Sequence, residues 1–332
     1  MSLPHQLRRG PALAVGLALT VASCASEDRP FLLPPDAVQA ATPTTVVAEP
    51  TTTTSTTVDL GEPLALVSPT GVIVPILDAN EGGYLVQTPC QAEATLVFGT
   101  PLYRVDVVLD PGHGGDIETG AVGPNGLTEK DLNLRLSKSA ARKLEDRGIT
   151  VALTRTSDYR VPLATRAQIA DTLEAEALVS VHHNAPVLSV SDEPGTEVFY
   201  QTDSLESARL GGLIQEEVVG ALSQFTDVNW VRARDAGVVG VLKPDGTESY
   251  GMIRRPETTA VLAEFGYLAN RSEAELFATD EYIEVASEAL ANAVQRFLET
   301  DQAGAAVNAE NRTFTPTGGT GGVGGCEDPA LE

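Results

Sequence analysis

Between Arg104 and about Thr300 the chain alternates two kinds of segment, and no other feature constrains its fold as much. Short β-branched runs appear at "VDVVLD", "ITVALTR", "ALVSVH", "GTEVFY" and "AVLAEF", while helical patterns begin near Lys130, Leu163, Ser204 and Glu281. Strands that alternate with helices build a mostly parallel sheet flanked by helices on both faces. The fold class expected is therefore α/β, with one domain at 104–300. A chain of 332 residues can bury a core of that size. Ligands of such sheets bind beyond the carboxyl ends of the strands.

The flanking segments read differently. Residues 60–103 hold short β-branched runs broken by Asn-Glu-Gly-Gly and Thr-Pro turns, which predicts a small β subdomain. Residues 25–59 are rich in threonine and proline without apolar periodicity, the composition of a disordered tether. Residues 1–24 read as an export signal, with Arg8 and Arg9 ahead of an apolar run from Pro11 to Ala22 that is too short to span a bilayer. Val21-Ala22-Ser23-Cys24 also resembles a bacterial lipobox, which leaves two options: a lipid anchor at Cys24 or cleavage after Ala25. Residues 301–332 form a glycine-rich tail, expected to be disordered except where Cys326 pins it. In an exported protein Cys90 and Cys326 are an even pair, either bridged or two separate thiols.

The formal net charge of −24, with no block of lysines or arginines, excludes nucleic acid as a partner. An anionic surface would have to be held by a specific groove rather than by long-range attraction. The protein is expected to be a monomer located outside the cytoplasm.

Apart from His5, every histidine lies at a predicted strand end: His113 in "LDPGHGG", and His182 and His183 in "SVHHNA". The segment from Glu129 to Arg147 reads as a helix capped by Thr128 and stopped by Gly148. Its buried stripe is Leu132, Leu136, Ala140 and Leu144, and Glu129 shares that face. Such a glutamate can simply favour the positive end of the helix dipole, but an inward carboxylate needs a positive partner, and a metal ion is one. Two histidines and a glutamate are a common ligand set for catalytic zinc, which lowers the pKa of its water from 15.7 to about 7. A second carboxylate must then shuttle the proton, and Glu264 closes an otherwise apolar strand.

The segments "VVLDPGHGG", "GLTEKDLNL", "TRTSDYRVPLATRAQIA", "SVHHNA", "GTEVFY" and "AVLAEFGYLAN" resemble, in order and spacing, the motifs of zinc-dependent N-acetylmuramoyl-L-alanine amidases of the Amidase_3 type. The resemblance runs from about Arg104 to Phe297. It implies that His113, Glu129 and His182 bind Zn2+, that Glu264 is catalytic, and that Arg166 and Asn184 lie near the substrate groove. The implied reaction cleaves the amide between N-acetylmuramic acid and L-alanine in peptidoglycan. A non-catalytic wall-binding or regulatory relative, and a zinc peptidase acting on the stem peptide, are the competing readings.

Three further expectations come from particular segments. Successive strand residues face opposite ways, so His182 and His183 should not both reach one metal. The family's Ser-x-His-x-Asn register implies that His182 is the ligand, leaving His183 to support the site, to sit in the groove, or to be a packed surface imidazole. Some relatives block their metal with a helix after this element, but "APVLSVSDEP" is too short for one. The long segment "VNWVRARDAGVVGVLKPDGTESYGMI" should line the groove, with a hairpin tip at Asp245-Gly246.

Overall fold

A computed structural model describes residues 61–186, 188–316 and 321–332. The export signal, the tether and Cys24 lie outside the described residues.

Five short strands come first: β1 (Ala65–Val67), β2 (Ile73–Asn80), β3 (Gly83–Gln87), β4 (Glu93–Leu96) and β5 (Thr100–Leu102), an antiparallel sheet in the order β4-β3-β2-β1-β5. The alternating segments follow: β6 (Val107–Pro111), α1 (Glu129–Asp146), β7 (Val151–Leu153), α2 (Leu163–Thr172), β8 (Ala177–Asn184), β9 (Ser189–Ser191), β10 (Glu197–Tyr200) and α3 (Leu205–Leu222). The chain continues through β11 (Trp230–Arg232), β12 (Val238–Val239), β13 (Val241–Leu242), α4 (Gly251–Arg254), β14 (Ala260–Tyr267), α5 (Arg271–Phe277), α6 (Asp280–Glu299) and β15 (Arg312–Thr313).

The central sheet has the order β12-β10-β14-β8-β6-β7. Its pairings are parallel except β10 with β14, so the "GTEVFY" strand inserts against the direction of its neighbour. Burial on both sides explains the apolar runs that open β6, β8 and β14. One face packs on α1, α3 and α6 through Val107, Leu109, Val179 and Phe265. On the opposite face Val108, Leu178 and Leu262 meet α2, α4 and the small sheet, whose Ala65 and Ile73 join the same core. The β segment at the start is therefore not a free-standing module.

Helix α1 begins as its sequence dictates. Thr128 accepts the amide of Asp131, and Leu132, Leu136, Ala140 and Leu144 are buried. Glu129 is consequently the first residue of α1 and faces the carboxyl ends of β6 and β8.

The tail departs from the disorder expected of its glycines. Ala305 donates to Gly212 O at 2.9 Å, β15 pairs in parallel with β13, and Arg160 donates to the carbonyls of Gly322 and Gly324 at 2.7 and 2.8 Å. Cys326 is bonded to Cys90, and Asp328 beyond it accepts the Cys90 amide at 2.7 Å and the Thr88 hydroxyl at 2.8 Å. Ordering comes from these distant partners, which composition does not show.

Candidate metal centre

The turn after β6 explains the glycines beside His113. A Cβ on Gly112 would lie 2.3 Å from the His182 ring, and one on Gly120 would lie 2.5 Å from Glu129 Oε2. Side chains there would displace both groups. His113 itself has a φ of 63°, a left-handed conformation costly for a residue with a side chain. Arg166 holds it there by donating Nη2 to the His113 carbonyl at 2.7 Å.

Three elements deliver three ligand-type groups to one point. His113 comes from the β6 turn, Glu129 from the start of α1 and His182 from the end of β8, with one ligand atom of each lying within 4.8 Å of the others. Glu129 Oε1 is 3.2 Å from His113 Nε2 and 2.9 Å from His182 Nδ1, while Oε2 accepts the Ala121 amide at 2.8 Å. Burial works to raise the Glu129 pKa, but hydrogen bonds from His113 and His182 outweigh it and hold the carboxyl well below its usual range. Burial lowers the pKa of His182, which favours its neutral ring. An ionised carboxylate beside neutral imidazole is the protonation state that metal binding requires, so the donor set fits zinc.

Glu264 stands on β14 opposite His182 in the β8–β14 register. It is partly open to a cavity of about 470 Å³ also lined by His113 and His182. Its Oε2 is buried and has no hydrogen-bond partner among the described residues. Burial first, then the charges of Glu129 and Glu197, push its pKa well above the usual carboxylate range. Ser249, Tyr250 and Met252 form another part of the cavity wall, so the second half of the long segment lines it as expected. Its Asp245-Gly246 turn is closed by the Gly246 amide donating to Lys243 O at 2.9 Å. The segment after Asn184 holds β9, paired with β11, and no helix among its described residues. Pro316, Gly321 and Gly322 bring the tail to the cavity as well.

The remaining predicted residues are tied into the scaffold, and Arg166 also lines the cavity. Arg166 is 2% exposed and pairs with Asp110 Oδ1 at 2.6 Å, with further bonds to the carbonyls of Pro111 and Val161. Asn184 donates Nδ2 to Glu197 Oε2 at 3.0 Å, and its Oδ1 accepts the Ala185 amide. His183 is not a surface imidazole: it is fully buried between Phe265 and Phe277, bonded to Asn133 Oδ1 at 2.8 Å and to the Tyr282 hydroxyl at 2.6 Å.

Sequence reasoning missed several supports. Arg155 donates to the carbonyls of Pro111 and Gly112 at 2.9 and 3.0 Å, and Asn133 reaches Glu129 Oε1 at 3.4 Å and the Gly112 carbonyl at 3.3 Å. Asn133 lies one turn after Glu129, a spacing that places the two on one helix face. That signal was available.

The family model described as N-acetylmuramoyl-L-alanine amidase, Amidase_3, matches residues 107–296. The chain belongs to this family. It is 32% identical over 217 residues to protein YqiI of Bacillus subtilis (strain 168), covering 65% of this chain and 93% of that protein. It is 28% identical over 217 residues to the N-acetylmuramoyl-L-alanine amidase AmiA of Escherichia coli (strain K12), covering 57% of this chain and 74% of AmiA. With the corresponding enzyme AmiC of Neisseria meningitidis it shares 25% identity over 59% of this chain, and spans about half of that relative, 53%. The solved N-acetylmuramoyl-L-alanine amidase of Clostridium difficile 630 superposes with a TM-score of 0.50 at 29% identity, covering 60% of this chain and 99% of that one. The protein is accordingly a cell-wall amidase, hydrolysing the bond between N-acetylmuramic acid and L-alanine of peptidoglycan.

Proposed function

We propose that His113, Glu129 and His182 hold a zinc ion, and that Glu264 moves the proton in hydrolysis of the muramoyl amide. The observation that carries this reading is the convergence of two imidazoles on one buried carboxylate at the mouth of the cavity that Glu264 also lines. Bound there, zinc supplies Lewis acidity, which polarises a carbonyl and makes water nucleophilic near neutral pH.

The chain's own residues do the rest. Glu264 accepts a proton from the attacking water and delivers it to the departing amine of L-alanine. Its Oε2, which has no hydrogen-bond partner among the described residues, can receive that proton. Arg166 and Arg155 fix the turn that carries His113, Arg166 also lines the cavity where substrate would enter, and Asn184 holds Glu197. Among the described residues no helix is long and apolar enough to cross a membrane. Export through the N-terminal segment, with or without lipidation at Cys24, is part of the proposal, and the Cys90–Cys326 bond supports an oxidising destination.

Mass analysis of wall fragments digested by the zinc-loaded protein tests the reading. Free stem peptides beginning at L-alanine are expected. Cuts inside the peptide would point to a zinc peptidase, and an intact wall to a binding relative. E264Q should keep its zinc and lose turnover, and an active E264Q would overturn the role of Glu264.

A further inference from the structure

The family match ends at residue 296, yet the chain beyond it reaches beneath the site. Arg312, on β15, sends Nη2 to Glu197 Oε1 and to Asp235 Oδ1 at 2.7 Å, and Nε to Asp235 Oδ2 at 2.9 Å. Its strand is fixed by the parallel pairing with β13, and its amide donates to Gly240 O at 2.8 Å.

Glu197 is 1% exposed, and its other oxygen is fully used. Glu197 Oε2 accepts Asn184 Nδ2 at 3.0 Å and the Tyr267 hydroxyl at 2.7 Å. Asn184 and Tyr267 face each other across β8 and β14, two residues beyond His182 and three beyond Glu264. Glu197 thus ties together the ends of the two strands that carry those groups. It is also the cross-strand partner of Glu264 in the β10–β14 register, so the two side chains leave the sheet on one face. A buried carboxylate in that position needs a cation, and among the described residues Arg312 is the one that bonds to it.

We propose that Arg312 is a positioning residue of the amidase: by pairing with Glu197 it fixes the strand ends from which His182 and Glu264 act. The inference rests on the roles given to those two residues. Without Arg312, Glu197 would be an uncompensated buried charge opposite Glu264. It would turn toward water and release Asn184 and Tyr267.

Three variants of the full chain test this, each assayed with zinc well below its melting temperature. R312M should lose at least about tenfold in kcat, the scale of losses seen when a group supporting a metal site is removed. KM should stay within about twofold, because no substrate contact is removed. R312K, which restores a cation, should recover most of the loss. The decisive variant is R312M/E197Q. It removes the charge that needs a partner and keeps an acceptor for Asn184 and Tyr267, so it should also recover turnover. A tail that only fastens the fold predicts no rescue by E197Q. Wild-type kcat in R312M, or a loss that neither R312K nor E197Q relieves, overturns the proposal. Should R312M fail to fold, R312K and the double variant still decide. Activity retained in E264Q would instead sink the assignment of Glu264, whatever the Arg312 variants do.

Discussion

Two adjacent residues on β8 divide the molecule into a working side and a supporting side. His182 lines the cavity with His113 and meets Glu129 there. His183, one residue on, is sealed behind the sheet by Asn133, Tyr282, Phe265 and Phe277. Both are histidines at the end of one strand, so chemistry alone cannot separate their roles. Strand alternation separates them, by directing one ring to the cavity and the other into the core. Asn133 then joins the two sides: its Oδ1 meets His183 and its Nδ2 meets Glu129 and the Gly112 carbonyl. The network also sets the neutral tautomer of His183, with Nδ1–H donating to Asn133 and Nε2 accepting from Tyr282.

The sharpest way to break this division is His182→Ala. Zinc retention and turnover should fall to background while the denaturant midpoint stays close to wild type, because Leu178, Val179 and Val181 supply the packing of β8. Metal analysis beside an unfolding curve checks it, and an unfolded variant would show that His182 is structural. His183→Ala should do the reverse. Two buried partners lose their bonds and an aromatic packet loses its centre, a cost of about 3 kcal/mol in unfolding free energy, with zinc still bound. Loss of metal from this variant alone would exchange the two roles.

A milder test uses pH. Burial pushes His183 down to about 3, so the unfolded chain, near 6.5, takes up that proton first. The stability contributed by the neutral ring is complete above about pH 6.5 and erodes as pH falls toward 3. Between pH 7 and pH 5 the stability gap between wild type and H183Q should shrink by about 2 kcal/mol, and parallel curves would remove His183 from the acid limb. The smallest effect should come from Thr128→Ala, which removes the cap of the helix carrying both Glu129 and Asn133. About 1 kcal/mol of stability should be lost, and zinc affinity should weaken modestly.

How much of this was legible in the sequence depended on distance along the chain. The α/β alternation, the start of α1 and the ligand-type residues at strand ends are local patterns, and the residues stand together as their spacing suggested. Arg166 was visible as part of a motif, but its burial was not, because Asp110, 56 residues away, decides it. For His183 a supporting role stood open beside a surface one, and the sequence could not choose because the aromatic residues that enclose it come from β14, α5 and α6. The tail was the largest miss. The bridge to Cys90 was one of the two options that the cysteine pair left open, but glycine-rich composition is silent about Arg160 and Glu197, which also give the segment its place.

The bond between Cys90 and Cys326 closes a ring that contains the whole alternating domain, its ends separated by 236 in sequence. Tension pulling on the two chain termini would pass from one sulfur to the other and leave the enclosed strands unloaded. A proteolytic nick anywhere within the ring would yield a single linked molecule rather than two fragments. For an enzyme whose substrate is a stressed, covalent mesh, the catalytic part is spared any mechanical load applied across the two termini.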